Sequence, residues 1–308
     1  KQIRHRGNVR YNTKNGRKRL MKLLEEDKLG GCPIDSVKLS DAKEWAIRMK
    51  EKGISYKTIS NDKRSLKAAF YTAIQDDCIR KKPFDFQLNT VIEDDTEPKV
   101  PLTPAQEESF LSFAQNDKVY QKYYDELIIL LGTGFRISEL CGLTDTDIDF
   151  ENRIINVDHQ LLRSAETGYY IETPKTKSGI RQIPMSEKVY EAFNRVLKRS
   201  RGAKAVTIDG YSNFLFLNRD GYPKTATNYD GMFRGHAKKY NKYHEEALPK
   251  VMTPHTLRHT FCTNMANAGM NPKALQYITG HSNITMTLNY YAHATFDSAK
   301  AEMLRIAA

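Results

Sequence analysis

The sequence is short of cysteine, the residue that builds disulfide frameworks and thiolate zinc sites. Its 308 residues include only four cysteines, Cys32, Cys78, Cys141 and Cys262, scattered along the chain. No two share the close spacing of a zinc site, and so few in a chain this long do not form a disulfide scaffold. A reducing, cytoplasmic setting is therefore expected. No run approaches the ~18 apolar residues of a membrane span, and the basic, polar start has no signal-peptide pattern. The GxxxxGK[ST] loop of nucleotide-binding proteins is missing. The acidic residues lack the spacing of paired magnesium ligands. No cofactor and no metal are expected. Repeats and low-complexity stretches are also absent.

What the chain has in excess is positive charge. Its net charge is +11, with a pI near 9.3. A basic protein with a normal apolar fraction, here 40%, fits a folded molecule with a polyanionic partner, most often nucleic acid. Residues 1–31 hold ten Lys or Arg, among them Arg17, Lys18 and Arg19, against three acidic residues. That segment is expected to track phosphates. The chain opens on Lys1, so a module preceding it is expected.

Helical periodicity divides the chain in two. KRLMKLLEEDKLG predicts a short helix ending at Gly30-Gly31. SDAKEWAIRMKEKG predicts a helix capped by Ser40 and closed by Gly53, with Ala42, Trp45, Ala46 and Met49 on one face. A long helix follows with Ile59, Leu66, Phe70, Ala73 and Ile74 as its stripe. Lys57, Lys63, Arg64 and Lys67 decorate its polar side and are expected to meet DNA phosphates. Prolines and an acidic run then break the pattern. The expected division is a helical DNA-binding domain at 1–92, a linker at 93–102 and a second domain at 103–308.

The second domain opens on Thr103-Pro104-Ala105-Gln106, a helix start with a capping box. A helix through YQKYYDELIILLGTG should stop at Gly132 and Gly134, and another starts near Ile137. RIINVD reads as a strand. YYIETPKTKSGIRQIPM reads as two strands joined by a polar turn at Ser178-Gly179. SEKVYEAFNRVLKRS is an amphipathic helix, FLFLN a short buried strand, and the remainder helical with breaks at 269–272 and 280–283. The predicted fold is mainly α with a small antiparallel sheet.

Four segments carry chemistry: TGFRISEL (133–140), TPKTKSGIRQIP (173–184), HTLRHT (255–260) and ITGHSNITMTLNYYAH (278–293). His255 and Arg258, one turn apart at the entry of a helix with an apolar stripe, suit the binding of one phosphate. The ordered set resembles the catalytic domain of tyrosine recombinases, the phage and conjugative-transposon integrase family, over about residues 98–300. That family carries an Arg in a T-G-x-R-x-x-E-L segment, a Lys in a β-hairpin, H-x-x-R, then G-H, then a Tyr. The matching positions are Arg136 with Glu139, Lys175 (favoured over Lys177), His255 with Arg258, His281, and Tyr291 (favoured over Tyr290).

The resemblance implies a site-specific DNA recombinase, an integrase and excisionase of a mobile element, working through a 3′-phosphotyrosyl intermediate without metal or ATP. Two planar, permanently charged guanidinium groups would clamp the non-bridging oxygens of the scissile phosphate. His255 would move the tyrosine proton, and His281 would bond a phosphate oxygen. The hairpin lysine would protonate the leaving oxygen, and Glu139 would buttress a site residue. The resemblance also implies a two-domain clamp around double-stranded DNA and a homotetramer. It further implies a C-terminal tail, bearing Phe296, Ala299, Met303, Leu304 and Ile306, docked on a neighbouring subunit. Accessory excision or DNA-bending proteins are a further expectation. A type IB topoisomerase-like enzyme and a non-catalytic DNA-binding regulator are the competing readings.

Overall fold

A computed structural model describes residues 10–97, 100–174, 176–200, 206–291 and 303–304. It divides into two compact units, Lys1–Pro98 and Lys99–Ala308.

The first unit is helical: α1 (Tyr11–Glu25), α2 (Leu39–Glu51) and α3 (Tyr56–Gln75). The first helix begins earlier than its apolar pattern suggested, at Tyr11. It is followed by a short 3-10 turn at Lys28–Gly31. The second helix starts at Leu39, where Asp41 accepts from the Lys38 amide at 2.8 Å, so the cap lies two residues before Ser40. Gly53 closes the helix with φ 77°. Its face delivers the fully buried Trp45, whose indole meets Phe84 edge-on at 5.9 Å. Ile59, Leu66 and Phe70 from α3 complete this core.

The second unit starts as its sequence dictates. The Thr103 hydroxyl accepts from the Gln106 amide and the Gln106 side chain accepts from the Thr103 amide, both at 3.1 Å, capping α4 (Pro104–Asn116). Then come α5 (Tyr124–Thr133) and α6 (Ile137–Gly142). The strands are β1 (Ile148–Asp149), β2 (Ile154–Val157), β3 (Gln160–Ser164), β4 (Gly168–Glu172) and β5 (Arg181–Pro184). The remaining helices are α7 (Glu187–Ser200), α8 (Ala226–Tyr243), α9 (Pro254–Asn267), α10 (Pro272–Thr279) and α11 (Ile284–Leu288).

The fold is mainly helical with small antiparallel sheets, two of them rather than one. β1-β2-β5 form one sheet, and β3-β4 pair separately. The expected hairpin between the strands at 168–172 and 181–184 therefore does not form. β4 instead folds back on β3, with Gly168, its first residue, at φ 70° where the tight turn ends. The pleat places Ile183 of β5 opposite Ile155 of β2, both buried, and this pairing sets the register. Phe214, Leu215 and Phe216 of FLFLN are buried, but the segment makes only isolated bridges, Thr144 to Phe214 and Leu217 to Pro223.

Among the described residues no helix is long and apolar enough to cross a membrane.

Candidate active site

The site is assembled at the C-terminal end of α10. The last carbonyls of a helix have no intrahelical donors and carry the negative end of its dipole. Here three consecutive carbonyls each take a different arginine. Ile278 O accepts from Arg181 Nε at 2.6 Å, Thr279 O from Arg258 Nη2 at 2.6 Å, and Gly280 O from Arg136 Nη2 at 3.0 Å. Gly280 ends the helix in the left-handed conformation, with φ 64°.

The same device recurs at α5. Gly134, also at φ 64°, ends that helix and offers its carbonyl to Arg258 Nη1 at 2.6 Å. A Cβ on Gly134 would lie 2.4 Å from the Phe261 ring, so only glycine fits. Arg258 is thus fixed between two helix ends.

Arg136 is the N-cap of α6, and Glu139 one turn later holds it twice. One carboxylate oxygen accepts from the Arg136 amide at 2.9 Å and the other from its guanidinium at 2.7 Å. Glu139 is buried. Burial pushes its carboxyl up, but the hydrogen bonds and charge of Arg181, reinforced by Arg136, outweigh this and hold it below its ordinary value.

The charges around this carboxylate do not balance. Arg136, Arg181 and Arg258 face one acid, Glu139. Arg258 is buried, and among the described residues no carboxylate pairs with it directly. Burial and the neighbouring Arg136 push its guanidinium down to about 10. A buried cation without a counter-ion is costly, and an incoming anion relieves that cost.

His281 follows Gly280 and is buried, its Nδ1 3.0 Å from the Thr287 hydroxyl. Burial and the charges of Arg258, Arg136 and Arg181 lower it to about 4, so it is neutral at pH 7. A Thr287 hydroxyl that donates to Nδ1 would leave the ring proton on Nε2, where an anion can accept it. His255 is exposed in the first turn of α9.

The two tyrosines diverge. Tyr291, the residue favoured from its setting, donates its hydroxyl to the Met270 carbonyl. Tyr290 instead lays its ring parallel to His281, with centroids 6.4 Å apart, and meets His259 edge-on at 5.1 Å. Burial and the adjacent Cys262 thiol raise its phenol to about 12, against the pull of Arg258. Neighbouring residues of a helical turn point about 100° apart, and the turn after α11 aims Tyr290, not Tyr291, at the histidine.

Lys175 lies outside the described residues, as do tail positions 292–302 and 305–308, while Met303 and Leu304 are exposed. Lys177 is exposed and begins a 3-10 turn, Lys177–Gly179, whose last residue is buried.

The basic residues expected at DNA in the first unit are only partly free for it. Arg19 pairs with the buried Asp62 at 2.5 Å, and Lys67 with Asp85. Lys63 bonds the Phe86 carbonyl and lies 4.4 Å from the Phe86 ring centroid. Arg64 reaches Asn61 at 3.4 Å, and Arg17 is half-buried. Lys18 and Lys57 are exposed.

Sequence reasoning missed Arg181 and Cys262. Alternation along β5 was the available signal for the first, because it puts Arg181 on the same buried face as Ile183.

A helix-end site that gathers arginines, histidines and a tyrosine defines an enzyme of phosphoryl transfer. The chain belongs to the phage integrase family, which it matches over residues 101–298. It is a site-specific recombinase, a DNA breaking and rejoining enzyme. The transposase of transposon Tn916 from Enterococcus faecalis is 67% identical over 306 residues, 99% of this chain and 75% of that protein. Tyrosine recombinase XerC of Bacillus pumilus is 26% identical over 269 residues, 87% of this chain and 80% of that protein. Among solved structures, the Tn1549 transposon integrase in complex with transposon right end DNA is 76% identical with a TM-score of 0.94, covering 100% of this chain and 97% of that one.

Proposed function

We propose that the enzyme cuts one DNA strand by attack of Tyr290 on a phosphate clamped by Arg136 and Arg258, leaving a 3′-phosphotyrosyl link. The carrying observation is the surplus of cations around Glu139, with Arg258 buried and unpaired by any described carboxylate. The five-coordinate phosphorus of the transition state gains negative charge where that surplus waits. Preorganised donors of this kind are the largest catalytic term in many enzymes. A phenol held near 12 is a poor nucleophile. The approach of the phosphate and transfer of the phenol proton to His255 make it competent. His281 donates to a phosphate oxygen, and Lys175 protonates the departing 5′ oxygen. The phosphotyrosyl bond retains the energy of the broken diester, so rejoining requires no external fuel.

A second line of support for Tyr290 comes from the Tn1549 integrase. Two of its DNA complexes carry an Arg→Lys substitution and a third a Tyr→Phe substitution, at positions separated there by the same 154 that separate Arg136 from Tyr290 here. The proposed substrate is a transposon end or circular-intermediate junction, since those DNAs are bound in that protein's structures. On such DNA the two units act as a clamp in the cytoplasm, within a homotetramer that exchanges tail segments and recruits accessory proteins.

The test is covalent capture on a nicked duplex of the Tn1549 right end. The wild type and Tyr291→Phe are expected to form a protein–DNA adduct stable in denaturant, and Tyr290→Phe none. Adduct formation by Tyr290→Phe would overturn the assignment of the nucleophile.

A further inference from the structure

Arg181 has no assigned role, yet its side chain is fully buried and held at every edge. Nη1 and Nη2 form a bidentate pair with the two oxygens of Glu139, at 3.1 and 2.8 Å. Nε donates to Ile278 O at 2.6 Å, and Nη1 also to Gly179 O at 3.0 Å. These bonds occupy four of its five N–H donors. The one N–H left over belongs to a side chain with no exposed surface, so the guanidinium serves protein acceptors and is screened from direct contact with a phosphate. Arg136, by contrast, keeps 38% of its side chain exposed.

The partners of Arg181 are all attached to site residues. Glu139 holds the amide and guanidinium of Arg136. Ile278 precedes the two carbonyls that orient Arg258 and Arg136, and lies three residues before His281. Gly179 ends the turn that begins at Lys177. Gly280 also makes room for Arg181: a Cβ there would lie 3.1 Å from its Nη1 and 3.3 Å from its Cδ.

We propose that Arg181 is a positioning residue for strand cleavage, locking Glu139 to the end of α10 so that Arg136 and His281 meet one phosphate in register. Lysine cannot replace it, because a point charge with three donors does not span a carboxylate and two carbonyls. The proposal rests on the strand-cleavage reading above.

The test is a double-mutant cycle on single-turnover adduct formation with the nicked Tn1549 right-end duplex. Arg181→Lys is expected to slow the wild-type reaction about tenfold to a hundredfold while DNA affinity holds and the protein stays folded, though with a lower melting temperature. Arg136→Lys should cost about a hundredfold or more. If Arg181 acts through Arg136, the double variant is no more than about threefold slower than Arg136→Lys alone. Multiplying losses, or a wild-type rate in Arg181→Lys, would overturn the proposal.

Should Arg181→Lys not fold, Arg181→Gln leaves Glu139 paired with Arg136 and keeps a neutral donor at the same place. A folded, DNA-binding Arg181→Gln protein with slowed adduct formation supports the role, and one at wild-type rate overturns it. A wild type that forms no adduct at all defeats the strand-cleavage reading itself, and this inference with it.

Discussion

Arg136 and Arg258 donate to adjacent peptide carbonyls, Gly280 and Thr279, although one lies before the β-strands and the other after α8. One helix end thereby sets the spacing of two cations that the chain keeps far apart. The carbonyls orient the guanidinium groups without neutralising them, as a carboxylate would. The remaining donors and the net charge stay available to a phosphate.

Arg258→Lys tests that arrangement. A lysine cannot bridge Gly134 O, Thr279 O and a phosphate oxygen together. Single-turnover cleavage is expected to fall about 10²–10³-fold, with DNA affinity measured by anisotropy nearly unchanged. A loss of affinity equal to the loss of rate would mean that Arg258 serves binding alone.

Gly280→Ala tests the helix end itself. Alanine at φ 64° is strained, and its methyl would lie 2.9 Å from Ser178 O as well as against Arg181. Left-handed strain of this kind costs about 1–2 kcal/mol. The melting temperature should drop, and adduct formation should drop further than the loss of folded protein explains. Unchanged kinetics would show that the carbonyl positions are not critical.

His236 gives a stability signature in acid. It is fully buried among Phe110, Phe113 and Tyr120, whose ring centroids lie 4.3, 5.1 and 4.8 Å away. Burial lowers it to about 4 from 6.5, against a weaker opposite pull from Asp117. On acidification the unfolded chain takes this proton first. The contribution is complete above pH ~6.5 and is lost as pH falls toward 4, on the order of 3 kcal/mol. Urea unfolding across that window should show this loss, and His236→Phe should flatten it. An equal slope in both proteins would rule out His236 as its source.

The first unit separates DNA contacts from internal pairs. Lys57→Ala, at an exposed position, should lower the slope of log K against log salt by about 0.9 for one lost phosphate, with melting unchanged. Arg19→Ala should lower stability by about 1–3 kcal/mol, since it strands the buried Asp62. The opposite pattern would exchange their roles.

Much of this architecture was legible where a residue's local chemistry decides its place. Thr103, Pro104 and Gln106 start a helix because their hydrogen bonds close within four residues. Arg136, Glu139, His255, Arg258 and His281 were found by motif, and the structure gathers Arg136, Glu139, Arg258 and His281 around one helix end, with His255 one turn before Arg258 on α9. Strand partners were not legible. β4 and β5 looked like a hairpin because they are neighbours in sequence, but Gly168 and the Ile155–Ile183 register send them to different partners. Nor was the choice between Tyr290 and Tyr291, since it depends on how one turn after α11 is oriented against Met270 and His281. Arg181 escaped notice because its partners, Glu139 and Ile278, are distant in sequence.

Peptide mass spectrometry of the covalent protein–DNA complex tests the central claim most directly. After proteolysis and nuclease trimming, the nucleotide-bearing peptide is expected to carry its adduct on Tyr290. An adduct on Tyr291, or on any residue outside this site, would contradict the account.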